Sequence, residues 1–266
     1  MWIKLLPVAF ALTGAMIAVF TDLRNRIIPN ELTYSMTVFG IIFSIGYGIF
    51  SGDLLKASYG FIGAGLGFGV GYLMYLTGGW AGGDVKLFMG MGALLPSYSD
   101  VFGLSYDLIL PEFVVGYPLF PLTILVNSVI AAAPVILFYL IVSKVAGFSA
   151  IYDEVKISEV EEGMIPGEII YEFEEEIHRK DAGYLGFLRK LFENIPDGAE
   201  VFTNPDRAAG VTEEQIEKLQ GLVEADRLED CLRIKKGMPF APSLAAGLFI
   251  SVFFGSLYWT MVTAFV

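Results

Sequence analysis

Five stretches of the chain, 1–20, 32–50, 57–77, 119–145 and 240–266, are each apolar over about the 20 residues that a helix needs to cross a bilayer. A sixth, 85–95, has only eleven residues before Pro96 and is too short to span alone. Such a piece starts part-way into the bilayer or continues irregularly, and irregular backbone at that depth must be covered by protein or line a watery cavity. Only 17% of the residues are charged, against about 25% in an average globular domain, and that charge is concentrated in one place. Residues 147–236 hold 22 acidic and 11 basic side chains, whereas the rest of the chain holds 7 and 6. Two solvents are implied. The expected fold is an all-α polytopic membrane protein of about six transmembrane helices, with a small soluble α+β domain inserted. Its domains are a membrane core over 1–146, an acidic insert over 147–236 and a last transmembrane helix over 237–266.

Several function classes fall away. Cys231 is the single cysteine, so neither a disulfide framework nor a cysteine zinc site can form. His178 is the only imidazole, and a Ser-His-Asp triad would have to be built on it; it reads as a solvated surface residue. The first apolar stretch is a poor signal peptide, with Lys4 its lone basic residue and its small residues, Thr13 to Ala15, in mid-stretch.

Orientation follows from the basic residues. If six segments alternate, one side receives Arg24, Arg26, Lys86, Lys144 and the insert, which is 15 of the 17 basic residues; Lys4 and Lys56 fall on the other. The first side is cytoplasmic by the positive-inside rule, a bias of four to two in the short loops. The loop 96–118 agrees, having Asp100, Asp107 and Glu112 and no Lys or Arg. Within the insert, 165–173 suggests strands around Gly167. Residues 184–195 suggest an amphipathic helix with Leu185, Leu188, Leu191 and Phe192 on one face. Residues 212–219 suggest a helix opened by a Thr212 to Gln215 capping box, with Ile216 and Leu219 turned inward.

Ionisable groups at a membrane edge are costly and therefore candidates for function. Asp22 follows the first apolar segment, and Asp84 ends the glycine-rich turn 78–83 and opens the short apolar helix. One lies after a single crossing and the other after three, so both fall at the cytoplasmic edge. Two close carboxyl groups share one proton, and such a pair can activate water as base while polarising a carbonyl as acid. Gly82 and Gly83 let the backbone turn and a peptide strand approach. Plainer readings stand beside this one. Asp84 fits an ordinary helix N-cap, Asp22 a solvated partner of Arg24 or Arg26, 29–31 a turn and cap, and Lys86 a snorkelling interfacial lysine. Gly63, Gly67 and Gly71, four apart, form a small-residue face for close helix packing.

The run Asp22-Leu23-Arg24, followed by Ile28-Pro29-Asn30-Glu31-Leu32-Thr33, resembles the type IV prepilin peptidases and the archaeal preflagellin peptidases, polytopic aspartic proteases with a GxGD motif. So do Gly82-Gly83-Asp84-Val85-Lys86-Leu87 and the stretch from Gly90 to Pro96; Gly237-Met238-Pro239-Phe240-Ala241-Pro242 is similar to the entry of that family's last helix. The first glycine of GxGD is Ala81 here. The resemblance implies that Asp22 and Asp84 are the catalytic pair, without metal or cofactor, and that Gly82, Gly83 and Lys86 serve the turn or the substrate. It also implies partners: membrane-anchored archaellin or pilin-like precursors with short basic leaders cut at the cytoplasmic face of the cell membrane, besides the lipid bilayer itself, and no nucleic acid. The chain lacks a CxxC pair, and so is similar to the archaeal, peptidase-only kind. Two rivals remain: a transporter using the same aspartates, which predicts charges deep within the helices, and a scaffold whose acidic domain docks partners.

Overall fold

The structure is a computed structural model that describes residues 5–76, 79–97, 119–147, 149, 152–181, 195–196, 198–205, 210–235 and 239–264. It is mostly helical, with a small sheet region, and divides into two compact units.

The first unit comprises Met1–Tyr75, Gly79–Phe138 and Pro239–Val266. Its helices are α1 (Leu5–Asn25), α2 (Asn30–Ser51), α3 (Leu54–Leu76), α4 (Gly82–Leu94), α5 (Phe120–Ala146), α7 (Ala241–Phe253) and α8 (Leu257–Ala264), with α5 running on beyond the unit. Of these, α1, α2, α3 and α5 are long and apolar enough to cross a membrane. The last apolar segment, expected to be one span, is two helices. Gly255 adopts a left-handed φ of 76°, and the 13 residues of α7 and 8 of α8 lie on either side of this break. The first helix also outruns its apolar stretch, so that Asp22 is inside α1 rather than after it.

The core of this unit surrounds α4, whose Leu87, Phe88, Met91 and Leu95 neighbours are fully buried. A helix only 13 residues long is held there because its partners bring backbone against backbone. A Cβ added to Gly63 would collide with the Gly92 carbonyl, and one at Gly67 would lie 2.7 Å from the Phe88 carbonyl oxygen. Gly71 faces Val85 and Trp80 in the same row. The three glycines spaced four apart are thus the face on which α3 meets α4. On another face α2 packs along α4, where Gly40 abuts the backbone of Ala93 and Leu94. Outward from these contacts, Phe39, Phe61, Leu73 and Phe138 are exposed, as lipid-facing positions are.

The second unit comprises Leu76–Gly78 and Tyr139–Met238. It contains β1 (Tyr152–Val155), a short 3₁₀ turn (Ile157–Glu159), β2 (Glu168–Phe173), β3 (Glu176–Asp181), β4 (Glu200–Val201), α6 (Glu213–Glu224) and β5 (Leu232–Lys235). Strands β1 and β5 pair antiparallel, and β3, β2 and β4 form a second antiparallel sheet in that order. The expected strand at 165–173 is β2. Helix α6 begins after Thr212, whose N–H donates to Gln215 Oε1 at 3.1 Å, and it buries Ile216 and Leu219 as its spacing predicts. Those side chains join Ile157, Ile170, Phe202 and Leu232 in a separate small core. At its edge the buried Glu168 accepts two bonds from Arg179, at 2.7 and 3.1 Å, and one from the Arg233 N–H at 2.9 Å. Residues 184–194 of the expected amphipathic helix and the loop 98–118 lie outside the described residues.

The glycine contacts predict a sharp contrast. Gly63→Ala should lower the unfolding free energy by ~1–3 kcal/mol, the usual penalty of overpacking a filled site. Gly65→Ala, where an added Cβ meets nothing within 4 Å, should cost nothing measurable. Thermal unfolding in detergent separates the two; equal midpoints would contradict this packing.

Candidate active site

Helix α1 ends in a way that fixes Asp22. Arg26 takes a left-handed φ of 56°, and its N–H donates to the Asp22 carbonyl at 3.0 Å. The chain then reverses through Ile28 and Pro29 into α2, and Ile28 is buried. Its side chain lies against the first turn of α4, where a Cβ on Gly83 would come within 3.2 Å of Ile28 Cβ. The turn after α1 and the start of α4 are therefore seated on one another. Asp22 stands in the last turn of α1 and Asp84 in the first turn of α4, at the same end of the bundle.

Asp84 is not an N-cap. Ala81 occupies that position, Gly82 and Gly83 already belong to α4, and Asp84 is the third helical residue. Its carboxylate reaches back, with Oδ2 accepting from the Ala81 N–H at 3.0 Å. This bond closes one of the orphan donors at the helix start, which is why α4 begins at Gly82 and not at Val85. The same turn is braced by Trp80, buried edge-on against Phe88 at 5.4 Å.

Asp22 meets a different helix start. Its Oδ2 accepts from the N–H of Ala241, the first residue of α7, at 3.3 Å. Asp22 is 8% exposed and Asp84 5%, so Asp22 is not the solvated surface carboxylate of its plainer reading. Two helix N-termini thus direct partial positive charge at a pair of carboxyl groups drawn from α1 and α4.

The other expected residues divide. Gly83 is the contact point with Ile28, whereas a Cβ on Gly82 would meet nothing within 4 Å, leaving open space beside the Asp84 turn. The ammonium of Lys86 is directed at α2. It donates to Asn30 Oδ1 at 2.7 Å and stands 5.6 Å from the centre of the Tyr34 ring. Asn30, assigned from its sequence only to a turn and cap, is therefore the partner that holds Lys86. Trp80 carried no expected role, and Ile28 and Ala241 stood only within the runs that carry the family resemblance. The one signal for Ala241 is the Pro239 to Pro242 stretch that opens the last apolar segment. Among the described residues no three His, Cys, Asp or Glu side chains gather as metal ligands.

The unequal surroundings of the two glycines yield a test. Gly83→Ala should lower stability by ~1–3 kcal/mol, because the Ile28 Cβ cannot swing away. Gly82→Ala should leave stability unchanged or raise it by up to about 1 kcal/mol through helix propensity. Melting midpoints of the two variants in one detergent decide the matter, and a reversed order would refute the seating described above.

The sequence pattern of the type IV leader peptidase family matches residues 9–137, and that of the archaeal peptidase A24 C-terminal domain matches residues 127–234. Among curated proteins, a prepilin peptidase, EppA, of Methanothermobacter thermautotrophicus is 24% identical over 97% of this chain and 96% of its own length. A preflagellin peptidase of Methanococcus voltae is 34% identical over 49% of this chain and 56% of its own. One from Methanocaldococcus jannaschii is 33% identical over 47% and 53%. The chain thus spans about half the length of these two preflagellin peptidases. The two patterns overlap at 127–137 and together reach from residue 9 to residue 234, and the chain belongs to the type IV leader peptidase family, which makes it a protease.

Proposed function

We propose that the protein is a membrane aspartic endopeptidase that removes short basic leaders from preflagellin or prepilin-like precursors at the cytoplasmic face of the cell membrane. One observation carries the reading: two buried carboxyl groups, Asp22 in the last turn of α1 and Asp84 in the first turn of α4, stand at the end of the bundle where the Ile28 turn is seated on α4. The names of the similar proteins supply the substrate class. The distribution of basic residues supplies the side of the membrane.

In this mechanism the ionised carboxylate takes a proton from a water molecule as the water oxygen attacks the scissile carbonyl carbon. The protonated carboxyl gives its proton to the carbonyl oxygen, which becomes the hydroxyl of a tetrahedral intermediate. Collapse of that intermediate breaks the C–N bond: the proton held by the first carboxyl passes to the departing nitrogen, and a hydroxyl of the intermediate returns its proton to the second carboxylate as the new carbonyl forms. Atoms and charge balance with water as the only co-reactant. The open space beside Gly82 suits an extended peptide, since no side chain would stand between it and the Asp84 turn. A precursor with an apolar helix after its leader presents the bond at the membrane edge, where the pair sits in this reading. Burial of the two carboxyl groups keeps bulk water from screening them.

Membranes containing the protein, incubated with a leader-bearing precursor, should convert it to the mature form. Asp22→Asn and Asp84→Asn should each reduce the rate by about 10³-fold or more, and the double variant should be little worse, because residues that act as one unit are not additive. Cleavage that survives either substitution would overturn the reading. A transporter using the same side chains would show ion flux sensitive to these substitutions and no cleavage.

The acidic insert, over 147–236, adds a second expectation. Its excess of negative charge would attract a basic leader by long-range forces, which salt screens over about 8–10 Å. The cleavage rate at low precursor concentration should then fall as salt rises, and insert variants neutralised at exposed glutamates such as Glu174 and Glu175 should lose part of that dependence. A salt response identical in wild type and variants would remove the insert from substrate capture.

A further inference from the structure

The start of α7 touches Asp22 directly and, through the residue before it, the aromatic brace beside the Asp84 turn. The Ala241 N–H bonds Asp22, and Phe240, immediately before it, packs on Trp80 at 5.1 Å. Trp80 in turn lies against Phe88 of α4 and precedes the Ala81 to Asp84 turn. An axial slip of α7 would therefore shift one carboxyl directly and the brace of the other through two aromatic rings.

The far end of α7 is where its axial position is fixed. Asn127 of α5 is fully buried, and its carboxamide is used on both sides. Nδ2 donates to Ser251 Oγ at 2.9 Å and to the Gly255 carbonyl at 2.7 Å, while Oδ1 accepts from the Leu257 N–H at 3.0 Å. Ser251 itself donates to the Gly247 carbonyl at 2.7 Å. The carboxamide thus takes up backbone groups left open by the break between α7 and α8, which have no water to turn to in an apolar surrounding. Gly247 brings α7 against the backbone of α5, with an added Cβ only 2.6 Å from the Ile124 carbonyl oxygen. Ala241 and Ser251 are ten residues apart, or about 15 Å along a helix.

The geometry points to Asn127 as a positioning residue for the peptidase reaction: α7 is a strut, clamped at one end by the Asn127 carboxamide and setting at the other the separation of Asp22 and Asp84. The inference rests on the aspartate mechanism proposed above, but its mechanical part can be read without activity. A displacement of about 1 Å at a reacting group is enough to lower a rate by about 10²-fold, with little change in substrate binding.

The test uses the full-length protein in detergent with Trp2→Phe and Trp259→Phe, so that Trp80 is the only emitter of the three tryptophans. Asn127→Ala should red-shift Trp80 emission and raise its quenching by acrylamide. In the otherwise native sequence it should lower kcat on a leader-bearing precursor by roughly 10²-fold with KM within about twofold. Ser251→Ala, which removes one bond of the set, should give a smaller change of the same kind. Gly48→Ala strains the α2 contact with Ala57 at the opposite end of the bundle, and should lower the melting midpoint while kcat per folded molecule stays within about twofold. Unchanged Trp80 emission in Asn127→Ala overturns the strut whether or not the protein cleaves anything. A shifted emission with unchanged kcat overturns the positioning role. An inactive wild type defeats the peptidase reading itself and leaves the emission result to judge the clamp.

Discussion

A carboxyl group removed from water must find donors, and the first unit of this protein meets that demand with helix ends. Asp84 takes the Ala81 N–H at the start of α4, and Asp22 takes the Ala241 N–H at the start of α7. Both donors are backbone groups that a helix N-terminus leaves without an internal partner, so each bond satisfies an orphan donor and a buried acceptor at once. The rest of the unit follows from bringing those two helix ends to the end of α1. The short length of α4, the reversed chain at Arg26 and the early start of α7 all serve that convergence.

Close packing makes it possible. A helix of 13 residues has few contacts of its own to hold it at depth in an apolar medium, where burying more hydrocarbon brings no gain. Glycines let α2 and α3 approach until backbone meets backbone, and dispersion forces summed over that contact replace the hydrophobic effect. Gly63 and Gly67 on α3 and Gly40 on α2 enclose α4 from two sides. The protein thus fixes Asp84 through the rigidity of its surroundings, and the single Asp84 to Ala81 bond only finishes the job. The second unit is stabilised differently, by an ordinary apolar core and a buried carboxylate, Glu168, matched by Arg179 and a backbone N–H.

Much of this was legible in the residues. The apolar runs located the long helices to within a few residues, the four-residue glycine spacing identified the α3 face, and the crossing count put Asp22 and Asp84 at one end. Two kinds of feature were not. Helix limits set by local bonds and backbone angles escaped, because hydropathy sees neither the reach of Asp84 to Ala81 nor the left-handed Arg26 that ends α1 only after Asp22. The break in the last apolar segment escaped as well. Gly255 hints at it, but the interruption is sustained by Asn127, distant in sequence, whose carboxamide takes the open groups. Partners such as Ile28 under Gly83 and Asn30 beside Lys86 arise from tertiary approach, which periodicity does not encode.

The central claim is that the two carboxyl groups occupy one place. Cysteines at positions 22 and 84, in a chain whose only native cysteine has been changed by Cys231→Ser, test it most directly. A short bifunctional thiol reagent should join them within one molecule in native membranes, and moving the second cysteine to position 50, at the far end of α2, should abolish the product. If both cysteines react singly with a thiol reagent and no intramolecular link forms, the pair does not exist and the account fails.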